Sequence, residues 1–285
     1  MKTIFRSGTT SDATACGTIC YEAFKAIAEQ HNFPPDFPSS HIAVSLLSMM
    51  LSRPDVYSVI AEIDDRVVGS NFLWEGDTIA GVGPITVVPA AQNGSVGRQL
   101  MEHVLERAHT RQHVGVRLVQ AAYHNRSLSV YSKLGFQARE PLSTLQGPPL
   151  NLELPGYRVR AATLDDLPAC NDLCLNVHVH DRHGELAHAI SAGTARIVEH
   201  GDRITGYATD IGFFSHAVGQ TNDALKALIG AAPAFAGPGF LLPTRNAELL
   251  RWCLTHGLRV VQPMTLMSRG LYQKPAGAFL PSVLY

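Results

Sequence analysis

The chain has 285 residues, of which 46% are hydrophobic and 16% are charged, and its formal net charge is −1. This composition predicts a well-filled core of one large or two ordinary domains and excludes a largely disordered chain. No run of Lys and Arg is present, which argues against nucleic acid or an anionic membrane as a partner. The longest apolar run, "IAVSLLSMML" at 42–51, is too short to span a bilayer. We expect a cytoplasmic protein without a secretion signal or structural disulfides.

The first half of the chain has the pattern of alternating strands and helices. "TIFRSG" predicts a strand, a helix follows to about residue 29, and a second helix spans about 40–51 after "NFPPDFP". "VYSVIAEI" and "RVVGSNFLW" predict a hairpin, and "IAGVGPITVVP" predicts the next strand. "SVGRQLMEHVLERA" predicts a helix, "VRLVQAAY" a strand, "NRSLSVYSKLG" a short helix ended by Gly135, and "FQAREPLS" the start of a last strand.

Internal similarity indicates two copies of one module. At an offset of 154 residues, Arg6, Asp12, Cys16 and Cys20 fall on Arg160, Asp166, Cys170 and Cys174. At an offset of 137, "AEIDDRVVG" falls on "VEHGDRITG", and at 122 Val96-Gly97 falls on Val218-Gly219 and Gly135 on Gly257. Three blocks in the same order predict domains at 1–146 and 157–285. The Pro- and Gly-rich segment at about 147–156 is the expected linker.

Four of the five cysteines form two CxxxC pairs, "ACGTIC" at 15–20 and "ACNDLC" at 169–174. Positions i and i+4 share a helix face, so each pair is geometrically able to share a metal ion. Two ligands in each of two separate modules do not complete a four-ligand site unless the helices meet. We interpret the pairs as small apolar residues that pack a helix on its sheet, and we expect no metal site.

A cluster of histidines, "HVHDRHGELAH" at 178–188, also raises the question of a metal. The segment does not contain HExxH, the motif of many zinc enzymes. We therefore interpret this segment as a solvated connection between a helix and a loop.

The stretch "ITVVPAAQNGSVGRQLM" at 85–101 predicts a buried strand, a turn of small residues and a helix. Unpaired amides at such a turn and at the helix N-terminus form an anion site, which suits a pyrophosphate. Taken alone, the pattern is also typical of an ordinary turn between a strand and a helix. A Rossmann site fits badly, because no GxGxxG follows the first strand.

This stretch resembles motif A of the GNAT superfamily of acetyl-CoA-dependent N-acetyltransferases, in which a strand leads to Gln/Arg-x-x-Gly-x-Gly/Ala and a helix. Gln92-Asn93-Gly94-Ser95-Val96-Gly97 stands at that place. Downstream, "NRSLSVYSKLGF" at 125–136 resembles the second signature of the superfamily, and "NAELLRWCLTHGL" resembles a degenerate copy of it. The resemblance implies an α/β fold of two GNAT-like modules, each a mixed, mostly antiparallel sheet flanked by helices.

The resemblance also implies a coenzyme site, with acetyl-CoA as co-substrate. Backbone amides would hold its pyrophosphate at Val87, Val88, Gln92, Asn93, Gly94, Ser95, Val96, Gly97, Arg98 and Gln99. Ser95 departs from the usual Gly, but serine is small and keeps its amide, so we expect binding to survive. Asn125 would lie near the pantetheine or nucleotide arm. Tyr131 would be the general acid on the leaving thiolate, the alternative being an aromatic residue that only packs on the sheet.

A general base is harder to assign. Many members of the superfamily carry a carboxylate on or near the motif A strand, and "AGVGPITVV" has none. We take Glu75 as the candidate base, with Asp77 and His124 as alternatives. Each is also typical of a solvated residue at a turn or a sheet end.

The second copy lacks the phosphate turn. At the matching place stands "DIGFFSHAVGQTNDAL", in which Phe213 and Phe214 would crowd a phosphate. We predict that this copy does not bind coenzyme A and instead shapes the acceptor site or a dimer interface. His216, Asp210 and Asn222 are candidates to line a pocket there, or are ordinary loop and cap residues.

These features predict an N-acetyltransferase that moves an acetyl group from acetyl-CoA to the amine of a small-molecule or amino-acid-like acceptor, with no metal. The alternative is a protein that binds acyl-CoA or a metabolite without catalysis. We expect a small-molecule amine as partner, no nucleic acid and no membrane, and a homodimer is left open.

Overall fold

The computed structural model describes residues 2–92 and 94–284. The helices among them are α1 (Ala13–Gln30), α2 (Ser40–Ser52), α3 (Val96–Thr110), α4 (Asn125–Lys133), α5 (Leu167–His178), α6 (His183–Ser191), α7 (Asn222–Ala231) and α8 (Ala247–Thr255). The strands are β1 (Ile4–Ser7), β2 (Val56–Ile63), β3 (Arg66–Trp74), β4 (Ile79–Val82), β5 (Thr86–Val87), β6 (Gly115–Ala121), β7 (Gln137–Gln146), β8 (Tyr157–Ala161), β9 (Arg196–His200), β10 (Arg203–Ala208), β11 (Ala217–Gly219), β12 (Phe240–Pro243), β13 (Arg259–Gly270) and β14 (Ala278–Leu280).

Two sheets carry these strands. Within the described residues, the larger sheet has the order β1-β2-β3-β4-β6-β13-β7-β12, with β5 beside β3, and the smaller one has the order β14-β11-β10-β9-β8. Strands β4 and β6 are parallel, and the other pairings given for the two sheets are antiparallel. The predicted fold class, mixed and mostly antiparallel sheets flanked by helices, is confirmed.

The two copies exchange their last long strands. Strands β7 and β13 pair with each other at the centre of this arrangement, from Gln137 opposite Ser268 to Gln146 opposite Arg259. Strand β13 of the second copy also pairs with β6 of the first, and β7 of the first pairs with β12 of the second. The segment at 147–156 therefore separates the two copies in sequence, but the larger sheet contains strands from both of them.

A repeated ion-pair network confirms that the copies are structurally equivalent at their N-terminal ends. In the first copy, Arg6 binds Asp12 (Nη2 to Oδ1, 2.7 Å) and Glu62 (Nε to Oε1, 2.9 Å). In the second, Arg160 binds Asp166 and Glu199 through the same atoms at 2.7 and 2.9 Å. Because charged hydrogen bonds in a partly buried site are among the stronger polar interactions, each network fixes β1 or β8 to the helix that follows.

The third sequence match holds only in part. Gly135 and Gly257 both follow a helix, α4 and α8, and both have φ of +88°, the left-handed conformation that favours glycine. Val96-Gly97, however, opens α3, whereas Val218-Gly219 lies in β11, so that alignment is wrong. Two adjacent common residues are too short a match to fix a register across a deletion.

The cysteine pairs lie in two separate hydrophobic cores. Cys16 and Cys20 face the core under α1 and α2, and Cys170 and Cys174 face the core of the smaller sheet. Burial raises the pKa of Cys16 to about 11 and that of Cys170 to about 12, so these thiols stay protonated at neutral pH. This arrangement agrees with a packing role. The described part of the chain holds no group of three or more His, Cys, Asp and Glu side chains placed to bind a metal ion.

The histidine segment differs from the expected solvated connection. His178 and His180 are buried, and the His178 ring lies 5.2 Å from Phe279 of β14 in an edge-to-face contact. The predicted exposure is therefore wrong at these two residues; Phe279 of β14 covers His178, and the His180 ring packs against that of His178. Helices long and apolar enough to cross a membrane are absent from the described residues.

Candidate active site

A cavity of about 400 Å³ opens where the larger sheet splits. The parallel ladder between β4 and β6 ends at Gly81 and Arg117. Beyond it, β5 follows β3, whereas β6 continues along β13. The chain that follows β4 therefore diverges from β6. The cavity lies between residues 82–87 on one side and residues 118–121 on the other.

The backbone amide and carbonyl of Val87 point away from β3, toward this cavity. The amide of Val88 donates to Val68 of β3 at 2.8 Å. Because successive residues of an antiparallel ladder direct their amides to opposite sides, the Val87 amide points away from β3 and toward the opening. The Val87 carbonyl does so too, since it accepts from Gln92 Nε2 at 3.0 Å. The expected role of Val88 is contradicted at the same time, because its amide is already used by the sheet.

The turn after Val87 is built from residues that leave its backbone accessible. Gly94 and Gly97 line the cavity. The Gln99 amide donates to Ser95 at 2.9 Å, but the amides of Val96, Gly97 and Arg98 have no acceptor among the described residues. Helix N-terminal amides without an acceptor among the described residues can attract anions, so the geometry of α3 is compatible with the predicted anion site, which stays a prediction.

Neither glycine is required by the fold. A Cβ on Gly97 would meet only Val87 Cγ2 at 3.7 Å, and one on Gly94 would meet only Ala91 O at 3.5 Å. Both are ordinary contacts. The absence of side chains at Gly94 and Gly97 therefore leaves the cavity side of the turn accessible.

The other predicted turn residues divide between the cavity and its support. Gln92 and Arg98 line the cavity, and Arg126 of α4 donates to Gln92 Oε1 at 3.1 Å, which ties the turn to α4. Ser95 donates to Gln99 at 3.1 Å, and Val96 is buried in the core. Asn93 lies outside the described residues.

The second signature places Tyr131 on the cavity wall. Tyr131 lies on α4, is 8% exposed and packs edge-on against Phe136 with ring centroids 6.2 Å apart. Burial raises its pKa, so the phenol stays protonated over the whole neutral range. Asn125 begins α4 and is exposed; its neighbours His124 and Arg126 line the cavity, whereas Asn125 is not among the lining residues that the structure describes.

The carboxylates proposed as bases lie elsewhere. Glu75 receives Arg107 on both oxygens, at 2.8 and 2.6 Å, and Arg111 at 3.4 Å, and these cations lower its pKa. Asp77 accepts from the Gly184 amide at 2.8 Å. Neither belongs to the described lining of the cavity, which contradicts a base role for Glu75 at this site. His124 does line it, and burial lowers the pKa of His124, so its imidazole is neutral at pH 7.

Comparison with known proteins shows the family to which the chain belongs. The family profile described as "Acetyltransferase (GNAT) family" matches residues 21–136. A relative from Azospirillum brasilense, an IAA acetyltransferase, is 30% identical over 105 residues, which are 36% of this chain and 68% of the relative. The chain belongs to the acetyltransferase (GNAT) family.

Solved structures extend the GNAT fold to nearly the whole chain. A Pyrococcus horikoshii protein assigned as an acetyltransferase is 17% identical, with a TM-score of 0.74 over 99% of this chain and 92% of the other. A GCN5-related N-acetyltransferase from Sphaerobacter thermophilus is 15% identical, with a TM-score of 0.63 over 95% and 96%. A tandem GNAT protein of the clavulanic acid biosynthesis pathway is 14% identical, with a TM-score of 0.57 over 94% and 98%. At these identities the likeness concerns the fold.

The N-terminus of helix α7 in the second GNAT module carries a side-chain cap, unlike that of α3. The hydroxyl of Thr221 caps α7 by accepting from the Ala224 amide at 3.4 Å. Phe213 is buried in a core between the modules. His216 hydrogen-bonds to Tyr207, whereas Asn222 hydrogen-bonds to Glu248 and Asn246. These two residues, proposed to line one pocket, therefore have separate sets of partners.

The second module nevertheless contributes to the cavity of the first. Phe213, Phe214, Met264, Val283 and Leu284 all line it. Sequence reasoning named Phe213 and Phe214 only as residues that would crowd a phosphate in the second copy, and it missed the other three. It also missed Asp36, which lines the cavity from the loop between α1 and α2. The signal at Asp36 was the segment "NFPPDFP", in which one carboxylate is held among prolines and phenylalanines.

Proposed function

We propose that the chain is an acetyl-CoA-dependent N-acetyltransferase that acetylates the amine of a small molecule, and that the first module carries the chemistry. One observation carries this proposal: the open N-terminus of α3, the strand end at Val87 and the buried Tyr131 all face one cavity. Membership of the GNAT family supports the same reaction class.

The residues present fit a coenzyme A molecule. Open amides and glycines at the start of α3 suit a pyrophosphate, and Arg98 and Arg126 add positive charge at that end of the cavity. Deeper in, Thr86 Oγ1 and Gln120 Nε2 are buried without a hydrogen-bond partner in the described structure. Buried polar atoms usually find a partner, so these two fit the amide groups of a bound pantetheine chain.

The chemistry that the chain supplies is polarisation and proton transfer. The Val87 amide, which points into the opening, would donate to the thioester carbonyl oxygen as negative charge develops on it. The amine nitrogen attacks the carbonyl carbon, the C–N bond forms and the C–S bond breaks. Tyr131 donates its proton to the departing sulfur. The nitrogen gives up a proton as the amide forms, which restores the phenol.

Acetyl-CoA binding and thiol release test this function. We expect Gly97→Trp to abolish acetyl-CoA binding by calorimetry, because the indole would fill the space in front of the open amides. Gly97→Ala is the graded variant, since the fold accommodates its methyl group. Glu106→Trp, on the exposed side of the same helix, is the matched control and should bind normally. Unchanged binding in Gly97→Trp contradicts the assigned site.

The alternative, acyl-CoA binding without catalysis, was favoured by the missing carboxylate on the motif A strand. Asp36 supplies a carboxylate to the cavity by another route. Thiol release with a panel of amines separates the two functions. Tight acetyl-CoA binding with no release from any amine would favour the alternative.

A further inference from the structure

Asp36 stands on the cavity wall in a rigid, apolar segment. Prolines flank it at 34, 35 and 38, and its neighbour Phe37 is buried. Phe37 meets Phe24 of α1 with ring centroids 6.1 Å apart. Fixed backbone angles at the prolines limit how far the carboxylate can move.

A residue of the second module orients this carboxylate. Gln262 of β13 is 1% exposed, and its Nε2 donates to Asp36 Oδ1 at 3.1 Å. Its Oε1 accepts from the Tyr123 hydroxyl at 3.4 Å, and Tyr123 stacks on Phe33 at 4.3 Å. Both ends of the amide are therefore engaged. No described residue donates to Asp36 Oδ2, which leaves this oxygen for a ligand.

The surroundings of Asp36 on the cavity wall are apolar. Phe24, Ile27, Phe37, Leu46, Phe213 and Phe214 line the cavity. The cationic side chains in the described lining are Arg98 and Arg126, which belong to the α3 turn and to α4, and neutral His124 precedes α4. The wall around Asp36 thus combines one anionic group with aromatic faces, both of which attract an organic cation.

We propose that Asp36 binds the protonated amino group of the acceptor and then accepts its proton, and that the apolar wall holds an uncharged aromatic or branched aliphatic body. This inference rests on the proposed function, because it names the acceptor class of the same cavity. An α-amino acid is disfavoured, since its carboxylate would lie near Asp36 without a cation to balance it.

The proton balance is complete. The ammonium proton passes to the Asp36 carboxylate and the freed lone pair attacks the acetyl carbon. The C–N bond forms, the C–S bond breaks, and Tyr131 protonates the sulfur. The nitrogen's second proton restores Tyr131, and Asp36 releases its proton to solvent before the next turnover.

Burial raises the pKa of Asp36 to about 6, and the hydrogen bond from Gln262 opposes that rise. The other titratable groups that feel its charge are the Cys20 thiol of α1 and the Tyr123 phenol; burial, and after it the charge of Asp36, raises the pKa of both. Both groups stay protonated and neutral near pH 7, so neither titrates in the pH range in which Asp36 does. As a base, Asp36 gives an acid limb near pH 6 in kcat/KM.

The test uses the full chain, acetyl-CoA and three probes: 2-phenylethylamine, phenylalanine and ethanolamine. We expect kcat/KM for 2-phenylethylamine to exceed that for each of the other two by about 100-fold. Asp36→Asn should lower kcat/KM for 2-phenylethylamine by about 100-fold and remove the limb near pH 6, with the Kd for acetyl-CoA unchanged. Asp172→Asn, an exposed residue of α5, is the control and should behave as the unmodified chain.

The outcomes separate the two proposals. Failure to bind acetyl-CoA, or binding without thiol release from any probe, overturns the proposed function and the inference with it. Release with phenylalanine or ethanolamine at rates equal to 2-phenylethylamine overturns the inference alone. An Asp36→Asn variant that keeps its rate and its acid limb does the same.

Discussion

Arg245 forms a two-pronged ion pair with Glu140, although the two residues belong to different copies of the module. Arg245 Nε lies 2.8 Å from Glu140 Oε1, and its Nη2 binds the other oxygen. The Glu140 side chain is 2% exposed, whereas that of Arg245 is 51% exposed. The buried partner therefore depends on a cation that the other copy holds at the surface.

Loss of Arg245 should destabilise the whole chain. Arg245→Met leaves a buried carboxylate without its partner, which we expect to cost about 2–4 kcal/mol of unfolding free energy in urea. The double variant Glu140→Gln/Arg245→Met should recover most of that loss, because no charge is left buried. Lys25→Met removes an exposed pair with Glu29 and is the control, with a change below about 0.5 kcal/mol. Equal effects of Arg245→Met and Lys25→Met would contradict this role.

The repeated Arg–Asp networks should control acid stability. The arginines hold the pKa of Asp12 and that of Asp166 at about 2, below the unfolded value near 4. A lowered carboxyl pKa contributes stability that is present above about pH 4 and is lost as pH falls toward 2. Asp12→Asn and Asp166→Asn should each cost about 1–3 kcal/mol at pH 7. The difference from the unmodified chain should shrink between pH 4 and pH 2 in chemical denaturation, and a constant difference would oppose the assignment.

Ionisation of Asp36 should lower the stability of the fold, whereas ionisation of Asp12 and Asp166 raises it. Its folded pKa is raised, so the ionised group costs stability, and this cost grows as pH rises from about 4 through about 6. Asp36→Asn keeps an oxygen that can accept from Gln262. We expect the variant to be at least as stable as the unmodified chain at pH 7.5 and equal to it at pH 4. A loss of stability at pH 7.5 would mean that Asp36 is retained for structure rather than for acceptor binding.

Tyr131→Phe should separate chemistry from binding. Removing the acid should lower kcat by about 10²- to 10³-fold, because the sulfur then leaves without a proton. The Kd for acetyl-CoA should stay within about twofold, since the ring and its contact with Phe136 are kept. We expect strongly slowed thiol release together with an unchanged Kd for acetyl-CoA in calorimetry. A loss of binding would indicate a packing role instead.

One coenzyme should bind per chain. The N-terminus of α7 is capped by Thr221, whereas that of α3 has no side-chain cap and lies beside the cavity, so of these two helix ends α3 suits a phosphate better. Calorimetry with acetyl-CoA should give a stoichiometry of one. Thr221→Val should lower stability by about 1 kcal/mol without creating a second site. Two sites per chain would contradict the assignment.

Sequence patterns located the turn, the two copies and Tyr131, because each depends on residues close together in the chain. They did not locate Asp36, because its partner Gln262 lies 226 residues away and reaches it only through the strand exchange. Glu75 was a poor choice for a related reason. Its partner Arg107 lies in the last turn of α3, 32 residues further along the chain, so no local sequence pattern reveals that the two residues form an ion pair. Long-range pairing therefore decided which carboxylate reached the cavity.

The exchange of β7 and β13 has a consequence for biosynthesis. Strand β6 is complete at Ala121, but the strand that covers its edge begins only at Arg259. At about 5–20 residues per second, a ribosome needs on the order of ten seconds to make the stretch between them. During that time the edge of β6 next to the cavity lacks its final partner strand, and such edges recruit other strands. The first copy therefore cannot complete its sheet until β13 of the second copy has been made, so folding of the first copy depends on synthesis of the second.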